Sequence, residues 1–117
     1  MYAETSQTTI MQHTLHQLEL CKNNLYQLQQ SCCMAERSQS MQKLLVVFHQ
    51  CENTLNIRSD VSQLNQVEEQ LMQIGAQLGQ LHVSCCTSTR EKIYQKLLHG
   101  LNKIYLNLQV LLGRDSH

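Results

Sequence analysis

Apolar residues return along this chain in alternating steps of three and four. The first series is Met11, Thr14, Leu18, Cys21, Leu25, Leu28 and Cys32. A mean step of 3.5 keeps one stripe facing one way on a helix, the pattern of helices packed lengthwise on each other. Ser6 or Thr8 is the expected cap at its start. A turn around Ser31 to Ala35 leads to a second series, Met41, Leu44, Phe48, Cys51 and Leu55. Asn56 to Asp60 reads as the next connection, with Ser59 or Asp60 to cap a third helix on Leu64, Val67, Leu71, Ile74, Leu78, Leu81 and Cys85. Ser88-Thr89-Arg90-Glu91 has the form of a capping box, in which Ser88 and Glu91 satisfy each other's amides. It opens a fourth helix on Tyr94, Leu97, Leu101, Ile104, Leu108 and Leu111, with Gly113 as a natural stop.

The third stripe repeats the first, and the fourth repeats the second, at a constant offset of 53 residues. The offset also carries identities: Ser31-Cys32-Cys33 returns as Ser84-Cys85-Cys86, and Gln42-Lys43-Leu44-Leu45 as Gln95-Lys96-Leu97-Leu98. Leu25, Gln27, Leu28 and Arg37 return as Leu78, Gln80, Leu81 and Arg90. Self-similarity at one ungapped period reads as a duplicated structural unit. Two tandem helical hairpins, about 6–57 and 59–112 with a short tail 113–117, predict an all-α, antiparallel up-down-up-down four-helix bundle filling one domain, 1–117. One long coiled coil, or a dimer exchanging hairpins, is the alternative; the short connections favour the bundle.

Composition agrees with that picture and narrows the chemistry. The chain has no proline, which suits helix throughout. Nine basic and nine acidic residues cancel, and seventeen glutamines make the surface polar without a broad field. No basic run exceeds one residue, so nucleic-acid binding is not expected. No apolar stretch approaches the ~20 residues of a membrane span, and the first residues lack the basic and apolar regions of a signal peptide. The expected compartment is therefore the cytoplasm, with reduced thiols.

The six cysteines divide into two groups. Cys21 and Cys51 correspond to Ile74 and Ile104 in the second repeat and read as core packing. Cys32, Cys33, Cys85 and Cys86 fall in hairpin turns that an up-down bundle brings to one end. Four thiols there would suit a tetrahedral zinc, copper(I) or an iron–sulfur cluster. Their spacing argues against it, because chelating cysteines are usually two to four residues apart. Adjacent residues on a helix point about 100° apart, so only Cys32 and Cys85 would face inward. The expectation is no cofactor, with the cysteine pairs as the metal or thiol-redox candidate.

Other chemistry finds little support. No glutamate has a histidine three residues on, which removes the di-iron pattern of helical bundles. There is no glycine-rich phosphate loop and no nucleophile elbow. His13 and His16 share one face of the first helix, two imidazoles without a carboxylate. His99-Gly100 is the one candidate for a phosphotransfer histidine, and nothing around it strengthens the case. The chain is not expected to be an enzyme.

Apolar residues beyond the stripes point instead to a partner. Val46 and Val47 extend the run Leu44 to Phe48, while Leu98, Tyr105 and Leu112 recur every seven residues beside the fourth stripe, with Ile93, Leu106 and Val110 nearby. Gly75 and Gly79 on the third helix would let another backbone approach or would simply loosen the helix. The expected function is a non-enzymatic protein–protein interaction module, an adaptor or small helical chaperone. It would bind a partner helix or a second copy through Val46, Val47, Leu98, Tyr105, Leu106 and Leu112 on helices two and four. The alternative is a metal-binding or thiol-redox protein.

Overall fold

The computed structural model describes residues 2–30, 35–57, 60–83 and 88–113, which form four α-helices. In chain order they are α1 (Tyr2–Gln30), α2 (Ala35–Ile57), α3 (Val61–Val83) and α4 (Ser88–Leu111). Each helix packs against the next in sequence, and α4 closes the ring on α1. Among the described residues the backbones of α1 and α3, and of α2 and α4, nowhere come within 8 Å, so these pairs lie across the diagonals. The result is an antiparallel four-helix bundle 50 Å long, in which α1 alone accounts for ~44 Å at ~1.5 Å per residue.

The four stripes meet along the bundle axis. Leu18, Cys21, Leu25 and Leu28 of α1 are buried with Met41, Leu44, Phe48, Cys51 and Leu55 of α2. Leu64 to Leu78 at the α3 stripe positions and Tyr94 to Leu108 at those of α4 complete the core. Met11, Leu81 and Leu111, at the ends of their stripes, are only half-buried. Thr14 is a hydroxyl at a buried stripe position, and it donates to the Ile10 carbonyl one turn back at 2.7 Å. Its polarity is thus satisfied inside its own helix.

Helix ends follow local chemistry, with one correction. Asp60 caps α3, since its carboxylate accepts from the Gln63 amide at 2.9 Å. Gly113 adopts φ +77° after α4, a left-handed turn that glycine enters without penalty. α4 begins at Ser88, where the capping-box sequence puts its start. α1, however, begins at Tyr2 rather than at Ser6 or Thr8. Neither glycine nor proline occurs between Tyr2 and Thr8, so nothing stops the helix at the first available cap.

A half-buried arginine ties the start of α2 to the last turn of α3 and to α4. Arg37 of α2 donates from Nη2 to the Leu81 carbonyl in the last turn of α3 at 2.6 Å and to the buried Tyr94 hydroxyl at 3.2 Å. A guanidinium there meets the negative end of the α3 dipole and joins three helices at once.

Candidate functional site

The cysteine pairs expected to gather at one pole, Cys32, Cys33, Cys85 and Cys86, lie outside the described residues. Cys21 and Cys51 are core residues with protonated thiols. The Cys21 Sγ donates to the Leu97 carbonyl at 3.8 Å, and burial pushes its pKa up to about 12. The Cys51 Sγ donates to Gln70 Oε1 at 3.4 Å; burial, helped by the Glu52 carboxylate, pushes its pKa to about 12 as well. Thiols held neutral are poor nucleophiles and poor metal ligands. Among the described residues no three His, Cys, Asp or Glu side chains come together to hold a metal, and no helix is long and apolar enough to cross a membrane.

The expected partner-binding residues do not form one surface. α2 and α4 occupy opposite corners, so Val46 and Leu106 face outward in different directions. Val46 is 47% exposed on α2, and Leu106 is 55% exposed on α4. Val47, Leu98 and Leu112 are half-buried and pack on the core, widening the stripes of their helices. Tyr105 is partly exposed on α4 beside them. The heptad count identifies outward positions on each helix correctly; the ring of four helices separates them.

α4 has instead a shared surface with α1, and this pair makes the most extensive contact of the bundle. Gly100 makes the approach close: a Cβ at that position would lie 2.8 Å from Cys21 Sγ. Gly75 and Gly79 face open space, with nothing within 4 Å of an added Cβ, so no other helix of this bundle approaches α3 closely there. Above the α1–α4 contact run two shallow cavities of about 400 and 360 Å³. They share Gln17 and Lys103 in their walls, which makes them one trough. His13 and His16 stand at one end, Lys96 and His99 at the other. Leu106 and Leu20, the latter 41% exposed, supply its apolar edges.

The carboxylates are placed elsewhere. Glu52 of α2 pairs with Lys22 of α1 at 2.6 Å, and Glu19 adds a second contact to the same ammonium at 3.5 Å. The hydrogen bond to Glu52 raises the Lys22 pKa, against the opposing effect of burial. Glu68 of α3 accepts a hydrogen bond from Gln109 of α4. Among the described residues no acidic side chain lines either cavity of the α1–α4 trough. Of its residues, the sequence marks His13, His16, His99 and Leu106 as candidates for chemistry or binding; Lys96 and Lys103 gain such a place only when the two helices are seen side by side. No protein-family model, curated protein or solved structure matches this chain.

Proposed function

We propose that the protein is a non-enzymatic interaction module, an adaptor or small helical chaperone, whose partner docks along α4. The observation that carries this reading is the outward exposure of Leu106, accompanied by Val110 on the same helix and by Leu20 across the trough on α1. Leucine side chains left in water at the edge of a cavity are what a helical partner buries on binding. The period of 53 residues supports an origin by duplication of one hairpin. Under that reading, one copy's outer surface was free to specialise while both kept the core stripes.

The test uses the full chain, affinity-tagged in its own cells. A partner recovered in stoichiometric amount should be lost on Leu20→Asp with Leu106→Asp and retained on Val46→Asp. Exposed substitutions of this kind change stability by about 0.5 kcal/mol or less, so thermal unfolding should hardly move. Equal recovery by all three proteins would reject the surface.

One observation favours a second reading, thiol chemistry at the two Ser-Cys-Cys sequences. Arg90 Nε and Nη2 are buried and have no hydrogen-bond partner among the described residues, and Arg90 follows Cys86 by four residues in sequence. A guanidinium close to a thiol stabilises its thiolate. Thiol alkylation against pH separates the readings: two or more thiols reacting fast at pH 6 support it, and uniformly slow reaction rejects it.

A further inference from the structure

We infer that the α1–α4 trough is the docking site for an acidic amphipathic helix, a segment carrying glutamate or aspartate beside a leucine-like stripe. The inference rests on the interaction-module reading and adds the chemistry of the partner. Its first support is charge segregation. The chain carries nine acids and nine bases, yet among the described residues Lys96 and Lys103 share the trough with His13, His16 and His99 and with no carboxylate. Neither lysine is in an ion pair among the described residues, whereas Lys22, on the α1–α2 side, has two. In a neutral protein, such a surface attracts a partner of opposite sign.

Shape and polarity fix the rest. Along α1 the trough runs from His13 to Asn24, ~16 Å at ~1.5 Å per residue, the length of about three turns of a guest helix. Lys96 and Lys103 stand two turns apart, ~10 Å, so guest carboxylates seven residues apart reach both. Leu20, which shares a cavity with both lysines, and Leu106, one turn beyond Lys103, receive the guest's apolar stripe. Nucleic acid fits less well, because among the described residues the trough has no arginine and no aromatic side chain for stacking. A second copy docking face to face would bring lysine onto lysine, since a twofold contact pairs each patch with itself.

The probe is a fluorescein-labelled 16-residue synthetic helix with leucine on one face and glutamate flanking it, titrated with the full chain by anisotropy. Controls are a scrambled peptide of the same composition, the lysine-for-glutamate peptide and a 16-nucleotide single-stranded RNA. Binding of the acidic helix should weaken about tenfold on Lys96→Glu with Lys103→Glu, and at least several-fold between 50 and 300 mM salt, given screening of exposed charge. The doubly substituted chain should instead bind the lysine peptide, a rescue that an unfolded variant would not give; unchanged helical circular dichroism confirms its fold. Absence of binding to the acidic helix, indifference to the two lysines, equal binding of the scrambled peptide, or tighter binding of RNA overturns the inference. If these tests fail while the Leu20/Leu106 substitutions still abolish partner recovery, the module reading stands and only the partner's chemistry is wrong. If recovery is also unchanged, both fall.

Discussion

Replacing Gly100 with alanine should destabilise this bundle relative to the same change at Gly75, and the difference measures how closely α1 and α4 approach. In an open helical position, Gly→Ala stabilises by about 1 kcal/mol because glycine loses more backbone freedom on folding. Gly75 and Gly79 meet that condition, with no atom within 4 Å of the added carbon. At Gly100 the new Cβ falls 2.8 Å from Cys21 Sγ, well inside the ~3.5–4.0 Å at which such atoms pack without strain. Cys21 is 1% exposed and its thiol is engaged with the Leu97 carbonyl, so it has little room to turn away. Overpacking of this kind costs about 1–3 kcal/mol. Gly100→Ala should therefore lie about 1–3 kcal/mol below Gly75→Ala in urea unfolding followed by circular dichroism, the propensity gain being common to both. Adding Cys21→Ala removes the clashing sulfur and should return the gain, giving a double-mutant coupling of about 1–3 kcal/mol. Equal midpoint shifts for Gly100→Ala and Gly75→Ala, or a cycle that closes at zero, would refute the close approach.

The buried thiols make stability depend on pH in a definite direction. Cys21 and Cys51 stay protonated to about pH 12 in the fold, while an unfolded thiol ionises near ~8.5. The native state then binds more protons than the unfolded one, so stability is fully present below about pH 8.5 and falls by about 1.4 kcal/mol per pH unit per thiol above it. Urea midpoints at pH 8 and pH 10 should show this slope in the parent and lose it in Cys21→Ala with Cys51→Ala; an identical slope in both sinks the assignment. Arg37→Ala removes charged hydrogen bonds to Leu81 and to the buried Tyr94 hydroxyl and should cost about 2–3 kcal/mol. Tyr94→Phe made in the Arg37→Ala background should cost less than in the parent, and strictly additive unfolding energies would contradict the link.

The core was legible because each stripe residue repeats its helical position: Leu18, Phe48, Leu71 and Leu101 could be assigned inward from spacing alone, and all are buried. The Asp60 cap was legible for the same local reason, a carboxylate three residues before the amide it accepts from. The start of α1 was not, because Ser6 and Thr8 can cap a helix but do not oblige it to begin there. Glycines show the limit more clearly. Nothing near Gly75, Gly79 or Gly100 in the sequence says which one meets a neighbour, since that depends on which helix closes on it and at what depth. Val46 and Leu106 are both exposed, yet a common face for them requires adjacent helices, and α2 and α4 are diagonal. The trough combines His13 and His16 with Lys96 and Lys103, some eighty residues away in sequence. Only the closure of α4 on α1 brings them together.

Where the partner sits can be read by placing a photo-cross-linking amino acid, one position at a time, at Leu106 on the trough, Val46 on α2 and Met72 on α3. All three side chains are exposed, so each reports on its own surface with little effect on the fold. Irradiation in cells should give one discrete adduct from position 106 and none from 46 or 72. An adduct from position 46 or 72, with position 106 silent, would contradict docking at the α1–α4 trough.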